Sequence, residues 1–455
     1  MLIDKLREYS KEDVYPFHMP GHKRINYGMP DAIGIDITEI DGFDDLHNAR
    51  GIIEGEQERL AEVYDSKQSY ILVNGSSCGN IAAIFDACKV NEKIIVGRNC
   101  HKSVYYGCIL RRLQVVYTMP EVSHQGIVTG TKIEEIARVI EENPDARAIV
   151  VTSPTYEGYV EPLEEIVRLA HDNKMKVIVD AAHGAHLGFD KYFPENPVKS
   201  GADYVIMSMH KTMPAMTQTA VIHVNTWDRK IDTYLRMFQT SSPSYVLMAS
   251  ISQGMNYLEE NPDLFENYGN LLRDFYEKTK GLKIFDILQD KNRDPSKIVI
   301  ICKGGLSGKD LEEILREDYR IQVEMSSFNY VIAMTSPMDT PEGLDRLAQA
   351  LEDMDLTYGD IENDYDTIAF EDVFTSDKKL EIYEPLDSER ELINIFKSGE
   401  NRISAGMVSL YPPGIPICVQ GERITAEQIN LIKEALEAGL TVTGLEEKTL
   451  VEVVI

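Results

Sequence analysis

Short apolar runs alternate with stretches of helical period along most of this chain. From residue 70 to residue 224 the runs lie at 70–73 (YILV), 93–97 (KIIVG), 147–151 (RAIVV), 177–179 (VIV), 204–207 (YVIM) and 220–224 (AVIHV). They are continuous rather than alternating, as expected of strands covered on both faces. Segments 81–88 and 162–172 carry helical spacing between them. Strands that alternate with helices predict an α/β domain with a doubly wound, mostly parallel sheet and helices on both faces. Upstream, 1–15 predicts a short helix that stops before Tyr15-Pro16, and 51–65 predicts a helix with Ile52, Ile53, Leu60 and Val63 as its apolar positions. Downstream, helical patterns run from about 246 to 280, and strands at 297–302 (KIVIIC) and 330–334 (YVIAM) flank a helix at 309–317. Residues 355–380 are acidic and weakly patterned, which marks an inter-domain stretch. The final region, 403–455, holds a Pro-Gly loop and a helix opened by a Thr425/Gln428 capping box. The expected division is an amino-terminal segment (1–50), a large domain (51–290), a small α+β domain (291–360) and a carboxy-terminal domain (361–455).

Composition narrows the class. A chain of 455 residues with 43% hydrophobic and 27% charged residues is an ordinary globular protein large enough for several domains. No window of eighteen uncharged apolar residues occurs, and the start lacks the apolar core of a signal peptide. The six cysteines are scattered, with no pair at metal-ligand spacing, so they read as reduced thiols of a cytoplasmic enzyme. A net charge of −29 argues against nucleic acid as a partner. That charge suits solubility, and it would also draw in a cationic substrate.

The candidate chemistry centres on 176–212. One apolar run ends at Asp180, and the next runs into Ser208-Met209-His210-Lys211-Thr212. Adjacent parallel strands would bring Asp180 and Lys211 to the carboxyl edge of the sheet, where open α/β sheets bind ligands. A lysine and an aspartate so placed are the protein groups that pyridoxal phosphate requires. The loop Asn74–Asn80 (NGSSCGN) ahead of a helix offers N–H groups and hydroxyls to an anion, yet fits neither GxxxxGK[ST] nor GxGxxG. The 304–310 run (GGLSGKD) also fails the P-loop pattern. His101, at a strand end, suits either an aromatic cofactor face or a cap. His18 and His22 have helical metal spacing, but Pro20-Gly21 breaks the helix that would bring them together, so no metal is expected. With Lys23 they suit a loop fixed near an anion or an interface, or a plain turn. The acidic run 36–47 (DITEIDGFDDLH) is a solvated surface, a face for a cation, or a brace for a neighbouring subunit.

Taken together and in this order, several runs resemble the bacterial Orn/Lys/Arg decarboxylase family of fold type I pyridoxal-phosphate enzymes. They are HMPGHK (18–23), TEIDGFDDLH (38–47), NGSSCGN (74–80), RNCHKS (98–103), TSPTYEG (152–158), DAAHGAH (180–186), SMHKT (208–212), TSSPSY (240–245) and YPPGIP (411–416). The chain is similar to the compact form, with no room for the extra amino-terminal domain of the large acid-stress enzymes. The resemblance implies a large domain that binds the cofactor and a smaller α+β carboxy-terminal region. It implies that Lys211 carries pyridoxal 5'-phosphate covalently, that Asp180 pairs with its ring nitrogen, and that His101 stacks on its face with His183 near its edge. Ser76, Ser77, Ser208 and His210 would bind the phosphate. Thr240 and Ser241, on the 240–242 loop, would reach the phosphate of the other subunit in a homodimer, with residues 1–50 as a dimer or active-site arm. His101, or Lys211 once displaced, would supply the proton that replaces the carboxylate. Two departures stand out: Ala181 where the family often has glutamate, and Gln420-Gly421-Glu422 where it often has PGE.

The activity implied is decarboxylation of arginine, lysine or ornithine to the amine and carbon dioxide, feeding polyamine synthesis. The alternative is another fold type I reaction, of an aminotransferase or an aldolase-type lyase. A cofactor-free binding protein on the same fold is the rival from a different class. A distal ammonium or guanidinium needs a carboxylate, for which Asp41, Asp44, Asp45 and Glu324 are candidates. The partners expected are therefore a basic amino acid and a second copy of the chain, with no nucleic acid and no membrane.

Overall fold

The computed structural model describes residues 2–226, 230–304, 306–358, 376–411 and 414–455. Its centre is a seven-stranded sheet in the order Gln68–Leu72, Ala220–Val224, Tyr204–Met207, Lys176–Asp180, Ala148–Thr152, Lys93–Gly97, Gln114–Thr118. Ala220–Val224 is antiparallel to both of its neighbours, and the other pairings are parallel. The apolar runs are continuous because helices cover both faces: Val177 to Val179 and Tyr204 to Met207 are all fully buried. Each such aliphatic side chain contributes about 1.5–3 kcal/mol on burial, and the mostly parallel arrangement follows from helical crossovers such as Leu163–Asp172.

Register fixes where the chemistry sits. Thr152 lies opposite Asp180, and Asp180 opposite Ile206. Asp180, Ser153, Ser208 and the 98–101 turn therefore leave the sheet at one edge. The first connection differs from expectation: the helix starts at Gly75 and runs to Ala87, so Ser76 to Asn80 form its opening turns. Gly79 permits this, because a Cβ there would lie 2.7 Å from Leu72 Cδ1 on the strand beneath. In helix Ile52–Tyr64, Ile53, Leu60 and Tyr64 form the buried stripe, while Ile52 and Val63 flank it and are exposed.

A second sheet, Phe285–Ile287, Lys297–Cys302, Tyr330–Met334 and Met325–Ser326, is antiparallel and carries helix Gly308–Glu317, capped by a Ser307/Asp310 box. The amino-terminal strand Tyr15–Phe17 joins this smaller unit by pairing in parallel with Ile321–Val323. The expected helix at 1–15 is shorter than its range, Leu2–Tyr9. Of the acidic 355–380 stretch, 359–375 lies outside the described residues. Beyond it, a third cluster packs around Ile395, Val408, Ile432 and Val453, with the Thr425/Gln428 capping box in place. Among the described residues no helix is long and apolar enough to cross a membrane.

Candidate active site

At the sheet edge, Lys211 lies on the short helix Met209–Thr212 directly after the Tyr204–Met207 strand. Its Nζ is 2.9 Å from His183 Nε2. Burial lowers the lysine below its ordinary value, Asp180 and Glu324 oppose that, and Lys297 adds to it. His183 is held well below its ordinary value by burial and then by Lys211, so its ring is neutral and Nε2 is free to accept from Nζ. Its Nδ1 is buried without a partner among the described residues.

Asp180 ends its strand almost fully buried. Its carboxylate accepts from Asn80 Nδ2 at 2.8 Å and from the Ala182 N–H at 3.2 Å. Asn80 also donates to Ser103 Oγ at 3.0 Å, and Ser103 holds His101 Nδ1 through its N–H (3.2 Å) and its hydroxyl (2.9 Å). His101 thus caps helix Lys102–Arg111. With Nδ1 accepting, the neutral ring carries its proton on Nε2. Burial drives His101 down to about 4, with Lys211 and Lys102 acting with it and Asp180 against. Asn80 was not singled out from the sequence. The available signal was its place four residues after Ser76, on the same helical face.

The hydroxyls gather around the helix start. Ser208 Oγ donates to Ser76 Oγ at 3.0 Å, and Ser77 is exposed beside it. Asn74, in the capping position, makes no capping bond; its Oδ1 accepts from the Thr240 N–H at 3.3 Å. The first N–H groups of this helix are therefore left for an anion. Thr240 and Ser241 are exposed on the adjoining loop, which His47 Nε2 ties down at the Thr240 carbonyl (2.7 Å). His210 Nδ1 donates to the Thr219 carbonyl at 2.9 Å, and burial lowers its ring to about 4.

The substrate carboxylates separate. Asp44 is committed to its own chain: it accepts from the N–H groups of Arg50, Gly51, Ile53 and Glu54 at the start of helix Ile52–Tyr64. Desolvation pushes Asp44 up, but these backbone donors outweigh it and hold it below its ordinary value. That corrects the expectation of Asp44 as a candidate carboxylate for the substrate's distal cation, since both of its oxygens already accept from backbone N–H groups. Asp45 caps the next short turn, and Asp41 sits on an exposed one. Glu324 instead faces Lys211. Its oxygens accept from the Tyr156 hydroxyl at 2.7 Å and the Met19 N–H at 2.9 Å, and the Tyr156 ring stands edge-on to His183 with centroids 4.8 Å apart.

Met19 brings in the HMPGHK loop, which packs on the lysine turn. The Gly21 N–H donates to the His210 carbonyl at 2.7 Å, and a Cβ on Gly21 would lie 2.7 Å from the Met213 carbonyl oxygen. Lys23 anchors the loop rather than an anion: its ammonium donates to the carbonyls of Pro16, His18 and Met334, with Asp339 at 3.8 Å. His18 Nδ1 bonds the Met19 carbonyl and His22 Nδ1 accepts from the Arg24 N–H. Among the described residues no group of three metal ligands gathers.

Profiles of the two Orn/Lys/Arg decarboxylase domains match this chain, the major domain over residues 1–264 and the C-terminal domain over 380–449. The arginine decarboxylase of Bacillus anthracis is 32% identical over 99% of this chain and 95% of its own length. The chain belongs to the Orn/Lys/Arg decarboxylase family. Another member, the arginine decarboxylase of Bacillus subtilis, is 32% identical over 99% of this chain and 96% of its own length. Among solved structures, the Francisella novicida lysine decarboxylase superposes with a TM-score of 0.78 at 19% identity, covering 99% of this chain and 80% of that one. As a member of the Orn/Lys/Arg decarboxylase family with this architecture, the chain is an amino acid decarboxylase of fold type I.

The two departures have local explanations. Ala181 is fully buried, with its N–H bonded to the Ile206 carbonyl, so the neighbour of Asp180 carries no charge here. Gln420 is buried and donates its amide to the Ile382 carbonyl, while Glu422 pairs with Arg98 at 3.1 Å. Pro412 and Pro413 of the YPPGIP run lie outside the described residues.

Proposed function

We propose that the chain decarboxylates arginine with pyridoxal 5'-phosphate as cofactor, feeding polyamine synthesis from the cytoplasm. The observation that carries this reading is the sheet edge itself. A lysine, an aspartate and an uncapped, hydroxyl-lined helix start lie together where such a cofactor needs a covalent anchor, a ring-nitrogen partner and a phosphate cradle. Arginine is favoured by relatives of that name at 32% identity over nearly the full chain.

Lys211 would hold the cofactor, the Gly75–Ser77 turn with Ser208 and His210 its phosphate, Asp180 its ring nitrogen and His101 its face. When bound, the cofactor supplies an electron sink for the pair left behind as carbon dioxide departs. The protein does the rest. Burial favours the free amine of Lys211, the form able to attack a carbonyl. Asn80 and the Ala182 N–H hold the Asp180 carboxylate in one orientation. His101 Nε2–H is the proton source for the α-carbon after carbon dioxide leaves, with Lys211 as the alternative donor. Glu324 keeps a lone pair on each oxygen beyond its bonds to Tyr156 and Met19, and would read the guanidinium. Thr240 and Ser241 would serve the neighbouring site of a homodimer.

The test is the absorption spectrum of the protein with pyridoxal phosphate, followed by carbon dioxide release from arginine, lysine and ornithine. A visible band lost in Lys211→Ala, with release from arginine, is the expected result. Release from lysine or ornithine alone refutes the substrate. A band with no release from any of the three points to a different reaction on the same fold.

A further inference from the structure

An ionisable cluster that this chemistry leaves unused lies close enough to Lys211 for Lys297 to act on its amine. His186, Asp294 and Lys297 are all buried, and the Asp294 and Lys297 side chains have no exposed surface. Asp294 Oδ1 accepts from His186 Nε2 at 3.2 Å and the Ser296 N–H at 2.9 Å. Its Oδ2 accepts from the Ser296 hydroxyl at 2.7 Å and Lys297 Nζ at 3.1 Å. The cluster spans two units, since His186 belongs to the loop after Asp180 while Lys297 opens the Lys297–Cys302 strand of the smaller sheet. Arg293 fastens the same seam, donating to the Glu157 carbonyl at 2.8 Å, the Leu288 carbonyl at 2.6 Å and the Lys297 carbonyl. Apolar packing of equal volume commonly stabilises a fold as well as a buried ion pair does. The location of this pair calls for another reason.

We propose that Asp294 and Lys297 are positioning residues for the Lys211–His183 pair, acting across the seam between the two units. The proposal rests on Lys211 being the cofactor lysine. Asp294 grips His186, and three residues earlier on the same loop His183 meets Lys211 Nζ. Holding the loop at His186 holds the amine's acceptor in place.

The charges act the same way. The groups facing Lys211 are Asp180, Glu324 and Lys297, together with the rings of His183 and His101. Burial lowers the amine, the two carboxylates oppose that, and the Lys297 ammonium adds to it. Lys297 also joins burial and Lys211 in keeping His183 neutral, while Asp294 opposes them. Lys297 itself faces Asp294, His186, His183 and the buried Lys23. A lysine beside a second cation is a recognised route to a nucleophilic amine.

The experiment uses the full chain freed of cofactor. The pH dependence of Lys211 acetylation under trace labelling is read by mass spectrometry in wild type, Lys297→Met, Lys297→Arg and the double variant Asp294→Asn/Lys297→Met. The double variant removes both charges together and so strands neither in the core, which guards against a variant that does not fold. The labelling midpoint is expected to rise by about one pH unit in Lys297→Met and in the double variant, roughly tenfold less reaction below the midpoint. Lys297→Arg is expected to keep the wild-type midpoint. An unmoved midpoint in the folded double variant overturns the proposal, even if its melting temperature falls, since a purely structural pair would give that result. Adding pyridoxal phosphate to wild type separates the two readings. No visible band removes the premise and the proposal with it, whereas a normal band with an unmoved midpoint removes the proposal alone.

Discussion

Replacing Glu422 by glutamine tests how the carboxy-terminal domain is held against the active site. Arg98 follows directly on the Lys93–Gly97 strand, three residues before His101, and its side chain is fully buried. Its guanidinium donates to the Pro416 carbonyl at 2.6 Å, the Ile417 carbonyl at 3.0 Å and Glu422 Oε2 at 3.1 Å, and it lies 5.5 Å from the Tyr117 ring centroid. Burial works against this cation; Glu422 is the largest influence opposing it, and with Tyr105 and Tyr117 it raises Arg98 above its ordinary value. Glu422→Gln keeps the shape and one acceptor but leaves the guanidinium without a countercharge. Breaking a buried pair on one side costs about 3–5 kcal/mol, and the retained carbonyl acceptors place this case near the lower end, ~3 kcal/mol. Urea denaturation followed by both circular dichroism and cofactor absorbance measures it, with Arg98→Met/Glu422→Leu as the paired control. The double variant is expected to recover most of the loss, because neither charge is then buried alone. A single-variant loss below about 1 kcal/mol, the value of an exposed pair, would refute the reasoning. So would a double variant less stable than the single one.

Three further outcomes follow from the same geometry. Asn80→Leu cuts the link between Asp180 and Ser103, leaves buried acceptors unpaired at about 1–3 kcal/mol, and is expected to weaken pyridoxal phosphate binding roughly tenfold to a hundredfold in an absorbance titration. Gly21→Ala pushes the HMPGHK loop off the Met213 carbonyl, so turnover should fall while the spectrum of bound cofactor persists; unchanged turnover counts against that loop as part of the site. His223 is fully buried and held down to about 3 by burial. Below its unfolded value near 6.5 the unfolded chain binds the extra proton, so stability drops as pH falls from 6.5 toward 3. His223 alone accounts for about 2 kcal/mol of loss by pH 5. His101 and His210, also lowered by burial, add slopes of their own. His223→Gln, measured by denaturation at pH 7 and pH 5, should therefore shrink the loss by about that amount without abolishing it.

The layered fold was legible in the sequence, and so was the arrival of Asp180 and Lys211 at the ends of neighbouring strands. Apolar runs such as 177–179 and 204–207 are local signals, and a strand that ends in Asp180 or runs into Ser208 to Lys211 must deliver those side chains to one edge once the sheet is parallel. The Thr425/Gln428 cap was equally local. Tertiary structure alone decided what depends on distant partners. Glu324 met Tyr156, Met19 and the surroundings of Lys211 because the smaller unit folds back onto the edge, and nothing in its own neighbourhood of sequence announces that. Asp44 was a candidate for the substrate's cation, but the fold turns its oxygens onto the N–H groups at the start of a helix. Ile52 and Val63 looked like core positions until helix phase turned Tyr64 inward. Asp294 and Lys297 were not singled out from the sequence, and the burial of Lys23 in its loop was not legible there, since composition carries no measure of burial. A buried charge is made tolerable only by partners drawn from other parts of the chain, and that pairing exists only after folding.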